Sequence, residues 1–290
     1  MSKNYKYLIL GSNGLLGKSL KKSIKKNLRI CVARKKSDFN CDLTNKKKIS
    51  LLFNKYNFKY VINCAAYTDV TLCQKKNNFI KKINVNLPKY LTKLSISKNF
   101  KLVHISSDSV YFAKKNFLNK EVDKTRGLNN YSKSKLIAET FVKKNKKNLI
   151  IRTNFTGFKE KISSTFIGWA ILSLKKKIKF NLFNDFYTST LDVVSLSKYL
   201  IKLINKKSSG VYNIGSRDTI SKKKFILNLA SNLNLPINYL ETSCRMLSVK
   251  RSNYLGLNCS KVEKKLNCKM ISSKQVVLNL IKEGKQLKII

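Results

Sequence analysis

The first half of the chain alternates short apolar runs with amphipathic stretches. The runs are continuous rather than alternating, which is typical of strands covered on both faces of a parallel sheet. The predicted strands are Tyr7–Leu10, Arg29–Ala33, Tyr60–Asn63, Leu102–Ile105 and Leu149–Arg152, and the predicted helices between them span residues 15–26, 45–55, 78–98 and 131–145. This order predicts an α/β fold, a Rossmann-type doubly wound parallel sheet with crossover helices.

The second half is less regular. Helical spacing recurs at 162–175, 192–205, 221–233 and 273–285, with strands near 178–183 and 211–214. We therefore predict a Rossmann domain over residues 1–152, to which residues 185–214 return. Residues 153–290 are predicted to form mainly a smaller, mixed α/β domain that covers the ligand.

A glycine-rich turn ends the first strand and opens a helix. A strand, a glycine turn and a helix in this order direct backbone N–H groups and the positive helix end at a pyrophosphate. The first glycine permits the tight turn, the second lets the backbone approach phosphate, and the third lets the helix pack closely. The turn, predicted to bind a dinucleotide, consists of Gly11, Ser12, Asn13, Gly14, Leu15, Leu16 and Gly17.

The end of the second strand distinguishes the two dinucleotides. An acidic residue there binds the ribose 2′-hydroxyl of NAD, whereas a basic one accommodates the 2′-phosphate of NADP. Here the strand runs into Arg34, whose planar fork suits phosphate. NADP(H) is therefore the preferred cofactor, with Arg34 as its ligand, and NAD(H) stays open.

Further cofactor contacts are expected at the next strand ends. Asp42 and Leu43 follow the turn by about one β–α unit. For Asp42 a second interpretation stays open, as the N-cap of the helix that begins near Lys46. The third long strand ends in small residues that let a dinucleotide lie across the sheet edge, and the predicted contacts there are Asn63, Ala65 and Ala66.

Tyr131 and Lys135 stand four residues apart at the start of a predicted helix, so they share one face. A phenol has a reference pKa of ~10, and a neighbouring ammonium lowers it, so that the phenol can protonate a developing alkoxide. The pair alone recurs by chance in a lysine-rich chain. Ser106 and Ser107, however, end the fourth strand at the carboxyl edge of the sheet, where ligands bind and a hydroxyl can contact the same substrate oxygen.

These motifs together resemble the extended short-chain dehydrogenase/reductase superfamily, and more closely its dTDP-4-dehydrorhamnose reductase branch. The similar stretches run from the first strand almost to the carboxyl terminus: residues 11–17, 61–68, 83–86, 103–108, 131–139, 152–154, 210–215, 221–222 and 251–261. The branch differs at Ser189 and Ser252, where it usually has prolines, and at residues 127–130, where a proline usually leads to the tyrosine.

The resemblance implies an activity and a set of residues. It implies NADPH-dependent reduction of the keto group of a nucleotide-linked deoxy-sugar, most closely dTDP-4-dehydrorhamnose to dTDP-rhamnose, for surface polysaccharide precursors. Ser107 falls at the catalytic threonine or serine, Tyr131 at the acid, and Lys135 at the lysine that holds the nicotinamide ribose. The implied substrate contacts are Ser106, Asp108, Asn154, Tyr187 and Arg251.

The composition of the chain limits which binding partners are expected. The formal charge of +47 comes from lysines spread along the chain rather than from one recognition helix, so no specific nucleic-acid partner is predicted. A positive cleft would nonetheless speed capture of an anionic cofactor and sugar diphosphate. Seven scattered cysteines and one histidine form no zinc-type cluster, and no metal is predicted. No apolar run is long enough to span a bilayer and no signal peptide is visible, so we expect a cytoplasmic protein without membrane contact.

Several alternatives remain open at this point. A nucleotide-sugar epimerase or dehydratase of the same fold would recycle a tightly held cofactor. A non-catalytic, NADP-binding regulatory subunit, similar to that of methionine adenosyltransferase, would bind a partner enzyme instead. A homodimer is also open. Arg251 is either a diphosphate clamp or a solvated surface charge, and Glu139 is expected to pair with Lys135 one helical turn away.

Overall fold

The computed structural model describes residues 3–75, 77–112 and 118–290 of the chain. Its strands are β1 (Lys3–Leu10), β2 (Arg29–Ala33), β3 (Phe39–Asn40), β4 (Tyr56–Asn63), β5 (Lys101–Ile105), β6 (Leu149–Thr153), β7 (Phe155–Thr156), β8 (Phe180–Phe183), β9 (Tyr187–Thr188), β10 (Leu191–Asp192), β11 (Gly210–Ile214), β12 (Ile220–Ser221), β13 (Tyr239–Thr242) and β14 (Tyr254–Leu255).

The α-helices are α1 (Leu15–Ser23), α2 (Lys46–Lys55), α3 (Val70–Lys75), α4 (Asn77–Ile80), α5 (Leu87–Ser97), α6 (Asn130–Val142), α7 (Phe166–Lys175), α8 (Val193–Asn205), α9 (Lys222–Asn232), α10 (Ser260–Leu266) and α11 (Ser273–Gln286). A π-helical segment, Lys81–Asn86, joins α4 to α5.

Seven parallel strands form the central sheet in the order β11-β6-β5-β4-β1-β2-β3. Alternate residues of the inner strands enter two different cores: Ile9 and Ile62 pack on one face, and Leu8 and Val61 on the other. Because helices cover both faces, the strands are apolar throughout, as the sequence predicted. The predicted α/β doubly wound fold is confirmed.

The chain order reverses beside β1, which lies between β2 and β4. Such a switch point leaves a crevice at the carboxyl ends of the two diverging strands, and ligands of open α/β sheets bind there. The glycine turn follows β1 and the Asn63–Ala66 segment follows β4, so both predicted cofactor segments border this crevice.

The later strands form three small sheets beside the central one. They are β7 with β10, β8 with β13, and β9 between β12 and β14. The chain also returns to the first half, because β11 pairs with β6 and the Ser197 hydroxyl on α8 accepts from Ser19 on α1 over 2.9 Å. Among the described residues, no helix has the length and apolar character needed to cross a membrane.

The predicted helix at 78–98 is not uniform. Within its π-helical segment, the side-chain amide of Asn84 accepts from the Tyr67 nitrogen over 2.8 Å and donates to the Tyr67 carbonyl oxygen and the Ser134 hydroxyl. This buried amide therefore ties the loop after β4 to α6, and the wider helical turn brings it into place.

Candidate active site

The glycine turn after β1 packs against the end of β4. Gly11 has a φ of +77°, and a Cβ on it would come within 2.8 Å of the Ala65 nitrogen. A Cβ on Gly17 would come within 2.3 Å of the Gly11 carbonyl oxygen. A larger residue at either position would therefore force the turn away from the strand or the helix.

Helix α1 offers its first backbone amides to a ligand. Its N-cap is Gly14, which has no side chain to accept from them. The hydroxyl of Ser12, in the same turn, is buried and has no hydrogen-bond partner among the described residues. Free amides at a helix N-terminus beside an orphaned hydroxyl fit a pyrophosphate group.

The loop after β2 is tied to this turn. The Asn13 side-chain amide donates to the Lys35 carbonyl oxygen over 2.7 Å. Arg34 is exposed. Hydrogen bonds from the Thr44 nitrogen and hydroxyl lower the pKa of Asp42, and the Arg34 charge adds to this effect, so the two side chains lie within electrostatic reach of each other.

The N-cap interpretation of Asp42 is wrong. The N-cap of α2 is Asn45, whose side chain accepts from the Lys48 nitrogen over 3.0 Å. Asp42 instead closes a tight turn with Thr44, to which both of its hydrogen bonds measure 2.8 Å. Leu43, next to it, is buried in the core.

The end of β4 is held by a buried amide. The side-chain oxygen of Asn63 (Oδ1) accepts from the Ala65 nitrogen over 3.2 Å, and its side-chain nitrogen lies 3.4 Å from the Nδ1 atom of His104. Asn63 thus shapes the segment that approaches Gly11, while Ala66 lines the cavity described next.

A cavity of about 420 Å³ opens at the carboxyl end of the sheet. Both halves of the chain contribute to its wall. The predicted site residues that line it are Gly14, Leu15, Leu16, Ala66, Ser107, Asp108, Tyr131, Asn154 and Arg251.

Ser107 and Tyr131 meet in this cavity. Burial raises the pKa of Tyr131, and a hydrogen-bonding interaction with the Ser107 hydroxyl opposes the rise. The expectation of a lowered Tyr131 pKa is wrong for this structure, because burial outweighs every contribution that would lower it. The phenol therefore keeps its proton at neutral pH, as a proton donor requires.

Lys135 lies behind the cavity wall, one helical turn after Tyr131. Its ammonium is buried and donates to the Ile105 carbonyl oxygen over 2.8 Å. Burial lowers the pKa of Lys135 to about 8, and the Glu139 charge opposes this. The lysine is thus anchored to the end of β5, next to the strand-end serines.

The expected ion pair between Glu139 and Lys135 is wrong. Glu139 accepts from the Arg152 Nη2 and Nε atoms over 2.7 and 3.0 Å, and it also lies 3.6 Å from the Lys143 ammonium. Both Glu139 and Arg152 are almost fully buried. The carboxylate points towards β6 because that face of α6 packs on the sheet.

Ser106 does not line the cavity, which corrects the prediction that it binds substrate. Its hydroxyl donates to Glu139 over 2.6 Å. Successive residues of an extended segment point to opposite faces, so Ser107 faces the ligand and Ser106 faces the buried ion pair.

The same alternation corrects the prediction for Tyr187. Its ring stacks on Tyr254 with centroids 5.4 Å apart, and it is the preceding residue, Phe186, that lines the cavity. Asn154 and Arg251, in contrast, face the cavity as predicted from the sequence.

Several cavity residues were missed by sequence reasoning. Asn129 is the N-cap of α6 and forms a capping box with Ser132, which fixes the helix that carries the tyrosine. Thr165 is the N-cap of α7. Both caps precede helical patterns, so capping preferences were the signal that could have found them.

The fold and this site define an oxidoreductase of the extended short-chain dehydrogenase/reductase type, a class that uses NAD(P). The chain belongs to the RmlD substrate binding domain family, which matches residues 5–286. The resemblance seen in the sequence is thereby confirmed.

Known proteins are similar over nearly the whole chain. A probable low-salt glycan biosynthesis reductase of Haloferax volcanii is 24% identical over 275 residues, which is 90% of this chain and 92% of the relative. A dTDP-4-dehydrorhamnose reductase structure from Clostridium acetobutylicum has a TM-score of 0.87 at 25% identity, covering 97% of this chain and 99% of its own. One from Bacillus anthracis, in complex with NADP, has a TM-score of 0.88 at 24% identity, covering 98% and 100%.

Proposed function

We propose that this protein uses NADPH to reduce the keto group of a nucleotide-linked deoxy-sugar. The observation that carries the proposal is the meeting of Ser107 and Tyr131 in one cavity, with Lys135 behind its wall and the glycine turn at its edge. The substrate to test first is dTDP-4-dehydrorhamnose, whose reduction would give dTDP-rhamnose for surface polysaccharide precursors.

The cofactor would lie along the crevice between β1 and β4. The amides of Leu15 and Leu16 and the orphaned Ser12 hydroxyl would hold the pyrophosphate. Arg34 would bind the 2′-phosphate, and the adenosine would contact the segments at Asp42 and Ala65. The similar Bacillus anthracis reductase was solved with NADP, which supports this choice over NAD.

Side chains of the protein would supply the proton that the keto oxygen receives. NADPH supplies the hydride when it is bound. Tyr131 holds a proton at its hydroxyl oxygen and would donate it to the keto oxygen as negative charge develops there, while Ser107 would donate a hydrogen bond to the same atom. The Lys135 ammonium would then stabilise the phenolate that remains.

The diphosphate of the substrate has a cationic counterpart in the cavity. The Nε atom of Arg251 and the hydroxyl of Ser252 are buried and without hydrogen-bond partners among the described residues. Burial also lowers the pKa of Arg251, so this guanidinium is not simply a solvated surface charge. Lys159 adds a second cation to the lining, and an anionic diphosphate would satisfy these groups.

We infer that different parts of the chain bind the cofactor and the substrate. Residues 1–152, with 185–214, would hold the cofactor and the catalytic groups. Residues 153–290 would supply mainly the substrate side. The contribution of Asn154, Phe186 and Arg251 to the cavity supports this division.

The direct test follows NADPH oxidation against a small panel of 4-keto sugar nucleotides. Replacing Tyr131→Phe is expected to lower turnover by about 10²–10⁴ while calorimetry shows nearly unchanged NADPH binding. Tyr187→Phe is the matched control, because this ring lies outside the cavity wall. Full turnover in the Tyr131 variant would remove the mechanism.

Two other outcomes would point to the rival functions. A purified protein that retains stoichiometric cofactor and consumes no added NADPH would indicate an epimerase or dehydratase. Tight NADPH binding without turnover, together with a co-purifying enzyme, would indicate a regulatory subunit.

A further inference from the structure

Lys222 differs from the lysines that follow it. It is the first residue of α9 and half-buried, whereas Lys223 pairs with Glu241 and Lys224 is exposed. Its ammonium lies 4.5 Å from the ring centre of Phe166, which lines the cavity, and donates to the Thr190 hydroxyl over 3.4 Å. A cation is unfavourable at the first turn of a helix, so its inward position needs another partner.

A directed chain of hydrogen bonds leads from this ammonium to Asp108. The Thr190 hydroxyl donates to the Asn154 side-chain oxygen over 3.1 Å, and the Asn154 nitrogen donates to the Asp108 carboxylate over 2.8 Å. Every donor points the same way, from the ammonium to the carboxylate. Such aligned bonds reinforce one another and fix the orientation of the Asn154 amide.

Asp108 is the anionic end of this chain and lines the cavity. Burial raises the pKa of Asp108 to about 6, and Asn154, the Lys222 charge and Ser107 oppose the rise. Burial also lowers the pKa of Lys222 to about 8, with Asp108 opposing, so both groups are charged at neutral pH. The fold thus keeps a buried carboxylate ionised beside the predicted catalytic serine.

The ionised Asp108 carboxylate needs hydrogen-bond donors throughout the reaction. Ser107 has a single hydroxyl proton, which it donates to Asp108 over 3.1 Å. If that proton turns to the keto oxygen during reduction, Asp108 loses one of its donors and keeps those of Asn154 and the Ser109 backbone amide. A hydroxyl on the sugar carbon next to the keto group would lie within reach to replace the lost donor, because it is adjacent to the oxygen that Ser107 contacts.

We propose that Lys222 is a positioning residue which, through Thr190 and Asn154, holds Asp108 ready to accept a hydrogen bond from the substrate. Asp108 would thereby select keto-sugars with a free hydroxyl next to the keto carbon. This inference rests on the proposed reductase function and names its substrate class more closely. Lys222 itself touches no reacting atom.

The pH profile separates this role from a merely structural one. Among the charged and titratable groups around Asp108, the Lys222 charge from α9 lowers its pKa and the Tyr131 phenol from α6 interacts with it, while Lys159 and Arg251 line the same cavity. Replacing Lys222→Met removes the cation, so the pKa of Asp108 rises. The acid limb of kcat/KM should therefore move to higher pH by about one unit.

The experiment measures NADPH oxidation between acid and neutral pH with two sugar nucleotides, one with the adjacent hydroxyl and one without it. Wild type should prefer the hydroxylated substrate by about 10- to 100-fold in kcat/KM, and Lys222→Met should reduce that preference. Lys224→Met, two residues along the same helix and exposed, should match wild type. Lys222→Arg keeps the cation, so its acid limb of kcat/KM should lie at the wild-type pH. Lys222→Gln replaces the methionine variant if that variant does not fold.

A second readout does not need turnover. The difference in unfolding free energy between Asp108 and Asp108→Asn, followed against pH, reports the pKa of Asp108. It should shift upwards in the Lys222→Met background. If Lys222→Met is active but changes neither the acid limb of kcat/KM nor the pKa of Asp108, the Lys222 proposal is overturned and the reductase function stands. The same holds if Lys222→Met lowers kcat/KM equally for both substrates. Absence of NADPH oxidation by wild type with every keto-sugar instead overturns the proposed function.

Discussion

The buried ion pair of Arg152 with Glu139 permits a sharp prediction of stability. Arg152 donates two hydrogen bonds to the carboxylate, one to the Tyr111 hydroxyl over 2.9 Å and one to the Glu121 carbonyl oxygen over 3.2 Å. Replacing Arg152→Met removes all four. The carboxylate stays buried and retains the Ser106 hydroxyl, the more distant Lys143 ammonium and the electrostatic interaction with Lys135.

The size of the expected loss in unfolding free energy follows from the charge that remains buried on Glu139. Leaving one member of a buried pair unpaired costs about 3–5 kcal/mol. Because Ser106 and Lys143 still compensate part of the charge, we expect a loss of about 3 kcal/mol for Arg152→Met. The double variant Arg152→Met/Glu139→Leu removes both charges, so it should recover much of the loss and lie within about 2 kcal/mol of wild type.

Urea denaturation followed by far-ultraviolet circular dichroism measures both values. Lys144→Met changes an exposed lysine two residues after α6; it is the control and should change stability by less than about 0.5 kcal/mol. The reasoning is refuted if Arg152→Met loses under about 1 kcal/mol, or if the double variant is no more stable than Arg152→Met.

Three further outcomes follow from the site. Gly17→Ala should weaken NADPH binding at least about tenfold, since its Cβ would overlap the Gly11 carbonyl oxygen. Asn129→Ala should cost about 1 kcal/mol by removing the cap of α6. Asp108→Asn should raise stability at neutral pH: the folded pKa of about 6 exceeds the unfolded value, so wild type loses stability relative to the variant as pH rises from about 4 to 6.

Calorimetry of NADPH binding and urea denaturation at several pH values check these three outcomes. Gly210→Ala is the control for the glycine variant, because a Cβ on Gly210 would meet no atom within 4 Å and this residue lies away from the cavity; its positive φ makes the substitution strained without affecting the turn. Unchanged affinity in Gly17→Ala, a cap variant as stable as wild type, or a pH-independent Asp108 difference would each contradict its prediction.

The sheet and the glycine turn were predictable because both depend on local sequence. Continuous apolar runs identify strands buried on two faces, and the spacing of Gly11, Gly14 and Gly17 follows from backbone contacts within one β–α unit. The strand order also follows from the alternation of strands and helices. The elements missed in the second half, such as α10 and β13, are short and lack a clear period.

Side-chain partners were less predictable because they depend on distant parts of the chain. The spacing of Lys135 and Glu139 indicated an ion pair within one helix, yet Glu139 forms its ion pair with Arg152 from β6. The alternation that turns Ser106 away from Ser107 depends on where β5 ends, which periodicity does not fix to one residue. Burial, which sets the pKa of Tyr131, is likewise a property of the assembled fold.

Trp169 is the protein's single tryptophan, on α7, and 42% of it is exposed. Its ring lies 6.2 Å, centre to centre, from Phe166, which lines the cavity. Intrinsic fluorescence excited at the indole therefore reports on one place only, at the edge of the substrate side. Titrating the unlabelled protein with a sugar nucleotide and following that emission would give a dissociation constant separately from turnover.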